Sequence, residues 1–381
     1  MAIDPATNAG ALSTDIRVAA GGAHDRDVPP GIGPYALAWR RLRRNRVALF
    51  FGGVFVLVVV LCLLAPVYSS QIAHTGPNDN HVTEVMHFGG PPLDVVSPTG
   101  IPIGPTWHGQ FLLGADPNGR DIAVRLLYGG RNSLEIGFVA TLLTMLLAVA
   151  TGVTAGYFRG WTDSVIARGL DLVWAFPPVL LGVALGTAVA VGGLDFGLFA
   201  LQGNSLFPPA VIIGVVYVPY VAKPLRGQVL GLREKEFVDA ARAQGLGPLR
   251  IMIGEILPNV ASTIIVFLPL ILANAILLEA GLSYLGAGVQ APNPSWGTMI
   301  SDGIRLIPSA MHLVFVPGLM LVLTVLGINV FGDGVRDAVD PRARVRIEAP
   351  GAAGAGAGGA GGAGAGTGTG AGAGAGAGAG D

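Results

Sequence analysis

The sequence predicts an all-α integral membrane protein, with six transmembrane helices and a helix–turn–helix on the cytoplasmic side. Three observations carry this. Only 12% of the 381 residues are charged and 51% are hydrophobic, whereas soluble domains carry about 25% charged residues. Six apolar runs approach the roughly 20 residues that span a bilayer core: Val47–Val67, Ile136–Tyr157, Leu172–Val191, Leu206–Ala222, Val260–Leu278 and Leu313–Phe331. None of them holds Asp, Glu, Lys or Arg. The basic residues between the runs cluster on alternate sides, as the positive-inside rule requires.

In chain order, residues 1–34 are rich in Gly, Ala, Asp and Pro and are expected to be disordered. Residues 35–67 hold a basic flank, WRRLRRNR, and the first span. The apolar run is too long and too far into the chain for a cleaved signal peptide. If the flank is cytoplasmic, the inside segments 158–171, 223–259 and 332–381 carry ten of the fourteen arginines that follow it and both lysines, Lys223 and Lys235. Both termini are then cytoplasmic. Residues 68–131 form an extracytoplasmic loop with turns and at most a few strands. Within it Asp116, Pro117, Asn118 and Gly119 form a turn by composition. An interfacial amphipathic helix with Ile122, Leu126 and Leu127 follows, and Asn132 or Ser133 caps the second span. Residues 132–335 make the transmembrane core, 336–348 a cytoplasmic end, and 349–381 a low-complexity Gly/Ala tail without side chains for a core. The fourth run is short and holds Pro208, Pro209 and Pro219. Prolines elsewhere in the runs read as packing kinks.

The long inside segment 223–259 differs from the spans around it: EFVDAARAQGLGPLRIMIGEILPN is charged, short-pitched and broken by Gly-Pro. Phe237, Ala240, Ala241 and Gln244 fall at i, i+3, i+4 and i+7, one face of a first helix. Gly245 suits its C-terminal stop. Pro248 fits the first turn of a second helix with Leu249, Met252, Ile253 and Ile256 on one face, and Pro258 leads into the fifth span. A connector resting on lipid headgroups is the plain alternative. The acids Glu234, Glu236 and Asp239 speak against it, because an anionic leaflet favours basic residues.

DAARAQG followed by EILPN resembles the "EAA" loop of inner-membrane permeases of ABC importers, with Asp239 where that family often has Glu. Three more stretches are similar to the "C"-type permeases of dipeptide and oligopeptide importers, relatives of which carry nickel: LLGADPNGRDIAVRLLYGGRNSL (112–134), LEAGLSYLGAGVQAPNPSWGTMI (278–300) and GDGVRDAVDPR (332–342). The resemblance covers about residues 35–345. It implies the type I ABC importer permease fold. It also implies a coupling loop that inserts into a cleft of a separate ATPase, with Glu236, Phe237, Asp239, Ala240, Ala241, Gly245, Leu257 and Pro258 as the ATPase-coupling residues. The partners it implies are a second homologous permease subunit, two ATPase subunits that carry the ATP and Mg, an extracytoplasmic solute-binding protein, a peptide-like solute and the lipid of a prokaryotic inner membrane. On this reading Ala241→Arg or Gly245→Pro blocks assembly with the ATPase.

Polar residues in or near the spans are candidates for the solute pathway: Asp171, expected to pair with Arg168, and Asn274 and Glu279, expected to share a face of the fifth span. His74, His81, His87 and His108 follow no metal-ligand spacing, and Cys62, the one cysteine, has no disulfide partner. Neither lysine closes a G-x-x-x-x-G-K-[ST] phosphate loop, so this chain is expected to bind no cofactor and to be no enzyme. A net charge of -1 argues against nucleic acid. The rival reading is an autonomous secondary transporter or channel, which would need charged relay residues inside the spans and often an inverted repeat.

Overall fold

The computed structural model describes residues 34–87, 92–192, 194–195, 200–201 and 205–339. The expected N-terminal disorder, most of the cytoplasmic end and the Gly/Ala tail lie outside the described residues. Among the α-helices of the described residues, twelve organise the bundle and its loops: α1 (Pro34–Arg44), α2 (Arg46–Leu63), α3 (Ile122–Phe158), α4 (Gly160–Trp174), α5 (Pro178–Gly192), α6 (Phe207–Val216), α7 (Val218–Leu232), α8 (Glu236–Ala243), α9 (Pro248–Ile251), α10 (Leu257–Tyr284), α11 (Trp296–Gly303) and α12 (His312–Val339), and a further short helical turn, Ala65–Tyr68, follows α2. Five stretches among them are long and apolar enough to cross a membrane, and α4 with α5 makes a sixth when that pair, bent by 87°, counts as one span.

Local sequence sets the breaks. Asn45 separates α1 from α2, and its Oδ1 accepts the Ala48 N–H at 3.1 Å as an N-cap. The outward residues of α2, among them Val47, Phe50, Val56 and Leu57, are exposed and apolar, as a face turned to lipid requires. The α4–α5 bend falls at Phe176–Pro177, where Pro177 lacks the N–H that would continue α4. The expected third span, starting at Leu172, is therefore the last turn of one helix plus the whole of another.

The second span departs most from expectation. The amphipathic helix and the span are one element, α3, 37 residues long. Neither Asn132 nor Ser133 caps it. The cap is Asp121, whose Oδ1 accepts the N–H groups of Ala123 at 2.8 Å and Val124 at 3.1 Å, while Oδ2 accepts that of Phe111 at 2.6 Å. Burial pushes the Asp121 carboxyl above its ordinary pKa, against the opposing pull of these three bonds. The preceding turn is as expected: Asp116 Oδ1 accepts from the Asn118 and Arg120 N–H groups, and Gly119 takes a left-handed φ of +71°. Asp116 also bonds Arg120 at 2.6 Å, and Arg120 reaches Asp302 on α11 at 3.4 Å. Two short antiparallel pairs, Val85–Met86 with Leu93–Asp94 and Leu194–Asp195 with Ala200–Leu201, are the strands among the described residues.

The weak fourth run has a physical explanation. In the most apolar stretch of Phe207–Leu232, 72% of the residues are buried inside the protein. A helix walled by protein does not need a fully lipid-compatible surface. Its partner α3 approaches closely through Gly152 and Gly156, a small-xxx-small pair. A Cβ at Gly156 would stand 2.7 Å from the Val229 Cβ, and one at Gly152 would stand 2.8 Å from the Ala222 carbonyl oxygen. One apolar core unites Met145, Tyr157, Leu170, Leu225, Val229 and Val260 with the loop residues Val238, Ala241, Ile251 and Ile256.

Candidate functional site

The loop between the fourth and fifth spans begins at Arg233, the C-cap of α7, whose guanidinium donates to the Tyr157 carbonyl. Arg159 pairs with Glu234 beside it. Helix α8 then starts at Glu236. Glu236 and Asp239 in its first turn and Arg242 in its last turn complement the helix dipole, and Arg242 bonds Asp239 at 2.9 Å. The helix ends in a Schellman motif: the Gly245 N–H donates to the Arg242 carbonyl at 2.9 Å and the Leu246 N–H to the Ala241 carbonyl at 3.1 Å. That motif needs the left-handed φ of +78° that Gly245 adopts. Gly247 is extended and Pro248 opens α9. A single π turn, Met252–Ile256, joins α9 to α10, with Leu257 half-buried and Pro258 exposed in the first turn of α10.

The loop has two faces, and they differ from the face read from spacing. Val238 is fully buried and Ala241 is 5% exposed; both pack into the core with Tyr157, Leu170 and Val229. Glu236, Phe237, Ala240 and Gln244 are exposed on the other side. Ala241 therefore does not share a free surface with Phe237 and Ala240, because its small side chain fits against the chain's own bundle. The second half divides likewise. Ile251, Met252 and Ile256 are buried, while Leu249 (65%) and Ile253 (57%) are exposed and line a shallow hollow with Gly247, Pro248, Arg250 and Gly254. The π turn inserts an extra residue per turn and so parts Ile253 from Ile256. The arrangement is a pedestal, apolar beneath and mixed acidic, aromatic and aliphatic above. It can seat a protein surface without exposing the core.

The three polar residues of the spans separate. Asp171 does not pair with Arg168 in the way its i−3 spacing predicts; its partner is Lys223 of α7, at 2.7 Å. Asn274 donates its amide to the Leu270 carbonyl at 2.8 Å, and its own backbone carbonyl accepts the Tyr217 hydroxyl at 3.3 Å. Glu279 is fully buried, with Ser283 Oγ donating to Oε1 at 2.7 Å and Ser133 and Ser295 beside it. Asn274 and Glu279 are five positions apart, about 140° of helical rotation, so the expected shared face does not hold. Glu279 lies where α10 meets α3 and the N-cap of α11, sealed from solvent, with Oε1 bonded within α10 to Ser283 and Oε2 buried without a hydrogen-bond partner among the described residues. In the outer loop His81 bridges Thr75 at 2.8 Å and Glu84 at 2.9 Å. Among the described residues no three His, Cys, Asp or Glu side chains are placed to hold a metal.

Spacing did not single out Val238, Tyr217, Tyr220, Trp174 or Lys223. One signal was available for three of them: Tyr217, Tyr220 and Lys223 recur every third residue and so lie along one side of a helix.

Residues 148–345 match the family described as binding-protein-dependent transport system inner membrane component. Residues 33–84 match the N-terminal transmembrane domain of oligopeptide transport permease C. The dipeptide transport system permease protein DppC of Alkalihalophilus pseudofirmus is 35% identical over 314 residues, 82% of this chain and 91% of that protein. The glutathione transport system permease protein GsiD of Pectobacterium atrosepticum is 32% identical over 311 residues, 82% of this chain and 92% of that protein. A solved chain of the MetNI methionine ABC transporter, inward-facing, superposes with a TM-score of 0.45 at 19% identity, over 56% of this chain and 96% of that one.

Proposed function

The chain belongs to the family of inner-membrane components of binding-protein-dependent transport systems, and from that premise we propose that it forms the membrane pathway of an importer for dipeptides, oligopeptides or related small solutes. The dipeptide and glutathione names of its relatives support this solute class. As a member of that family the chain is a multi-pass transport subunit and not itself an enzyme. ATP and Mg are bound on two separate ATPase subunits, a second homologous permease completes the pathway, and a solute-binding protein delivers cargo on the far side. Both termini lie in the cytoplasm.

One observation carries the coupling mechanism: the α8–α9 loop is welded to the bundle on one face and free on the other. Glu236, Phe237, Asp239 and Ala240 offer acids and an aromatic side chain to an ATPase cleft, where the acids meet basic residues. Ala241 anchors the loop from beneath, and Gly245, Leu257 and Pro258 shape its turns. ATP-driven closure of the ATPases draws paired loops together, and the shared core passes that displacement to the spans. Solute uptake into liposomes tests the reading. Uptake is expected only when the chain is assembled with ATPase, second permease and binding protein in the presence of ATP. Uptake by this chain alone, driven by an ion gradient, would overturn it.

A further inference from the structure

Two ladders of side chains face each other at the loop-bearing end of the bundle. Asp171 and Trp174 stand three residues apart on α4. Tyr217, Tyr220 and Lys223 stand three apart on the α6–α7 span. The Lys223 ammonium bonds Asp171 at 2.7 Å and lies 4.6 Å from the centre of the Trp174 ring. The Trp174 ring stacks on Tyr220 with centroids 4.3 Å apart and an angle of 34°, and Tyr220 meets Tyr217 edge-on at 5.4 Å. The Tyr217 hydroxyl ends the series on Asn274, inside the fifth span. The series thus runs continuously from the interior of α10 to the end where the loop attaches.

Its surroundings separate it from ordinary packing. Asp171 is 65% exposed and Trp174 46% exposed. A carboxylate is unfavourable against lipid, so this exposed face at the cytoplasmic end of the span requires water or protein. Further along the same helices, beyond Arg168 on α4, Arg226 and Asp163 satisfy each other in a two-pronged pair at 2.5 and 2.7 Å. Lys223 and Asp171 are left with one bond between them and open sides.

We infer that Asp171, Trp174, Tyr217, Tyr220, Lys223 and Asn274 form a transit site for a zwitterionic, peptide-like solute, and this rests on the importer reading above. The solute's ammonium group binds Asp171 and its carboxylate binds Lys223. One internal ion pair is exchanged for two intermolecular ones, so no charge is left uncompensated when the solute arrives or departs. The Trp174 and Tyr220 rings offer flat apolar contact that tolerates varied side chains. Tyr217 and Asn274 offer hydroxyl and amide partners further into the bundle. Such a site is weak by construction, because each departure restores the Lys223–Asp171 bond, and a pathway needs that weakness.

The test uses the complete importer in cells that lack other peptide importers, with radiolabelled L-phenylalanyl-L-alanine as probe. Asp171→Asn and Lys223→Gln are each expected to slow uptake about tenfold or more, the scale of one lost charge-assisted bond. Co-purification of the ATPase should be unchanged. The double variant D171K/K223D decides between recognition and architecture. It restores an ion pair of opposite polarity, so it should remain as slow as the single variants; recovery of uptake would make the pair structural and overturn the site. A photoreactive benzoylphenylalanine at position 220 should capture the labelled dipeptide in the assembled importer, and no capture during active uptake would overturn the site as well. Normal uptake by the single variants overturns the transit site alone. Absence of ATP-dependent uptake by the wild-type assembly overturns the importer reading, and the site with it.

Discussion

Ala240 and Ala241 are neighbours in sequence and opposites in structure, and a pair of arginine substitutions separates them. Ala241 is 5% exposed within a core that includes Tyr157, Leu170, Val229 and Val238. Overpacking such a site costs about 1–3 kcal/mol, and an uncompensated buried guanidinium adds about 3–5 kcal/mol when it cannot reach water. The sum is a large share of the roughly 5–15 kcal/mol that holds a domain folded. Ala240 is exposed, so an arginine there changes stability by about 0.5 kcal/mol or less. At the centre of a docked interface the same change should cost about 2 kcal/mol, or some 30-fold in affinity. The molecule supplies its own reporter. Cys62 is its one cysteine and is fully buried, out of reach of a reagent while the fold holds. A thiol-specific fluorophore therefore labels it on unfolding. Ala241→Arg should label at markedly lower temperature than wild type. Ala240→Arg should label with the wild type yet bind the ATPase subunits poorly in a titration. If Ala241→Arg keeps its melting temperature and loses docking while Ala240→Arg docks normally, the two faces are reversed and the pedestal picture is wrong.

The same dye assay reaches three other sites. Gly245→Val meets no atom within 4 Å of its new Cβ, so its cost is that of the left-handed backbone, about 1–2 kcal/mol; Gly245→Asn should recover most of it. Asp121→Ala strands three N–H groups and should cost about 2–4 kcal/mol, with Asp121→Asn milder. Because burial raises the Asp121 pKa, its effect on stability is most favourable below the ordinary carboxylate range near pH 4 and is lost as pH rises through the folded value; Asp121→Asn should flatten that part of a melting-temperature-versus-pH curve. Glu279→Gln keeps an acceptor for Ser283 and needs no counter-charge, so melting and uptake should match wild type, whereas a large loss of uptake with normal melting would put Glu279 in the solute pathway.

The spans and the loop were legible because lipid and helix geometry leave marks in composition: uncharged runs near 20 residues, arginines on alternate sides, Gly-Pro between two amphipathic turns. What failed to show depends on which partner a side chain meets. Spacing in α8 gave an amphipathic helix but could not say which side met the bundle, because Val238 and Phe237 are both apolar. Asp171 was assigned the nearest cation in sequence, Arg168, since a partner on another helix leaves no local trace. The cap of α3 was missed for a similar reason: Asn132 and Ser133 precede the apolar run, yet helix-forming residues continue back to Asp121. The weakness of the fourth run was visible, but its cause, a helix surrounded by protein, was not.

The placement of Val238 and Ala241 bears on how a stroke at the loop reaches the solute. An amphipathic connector on headgroups would slide when pushed, since lipid resists shear poorly. Here the underside of α8 and the turn after α9 belong to the same packed core as α3, α7 and α10. Packed interiors transmit displacement with little compression. Arg233 bonded to the Tyr157 carbonyl and Arg159 paired with Glu234 lock the loop to the end of α3. Force on the exposed face therefore arrives at three spans together. Two of the connected elements, α7 and α10, carry Lys223 and Asn274, the ends of the proposed transit series. A displacement that moves α7 against α4 by one or two ångströms lengthens the Lys223–Asp171 bond directly. On the proposed coupling, docking and solute release share one mechanical element, and loosening it by Gly245→Val should lower transport per ATP hydrolysed before it abolishes ATPase binding.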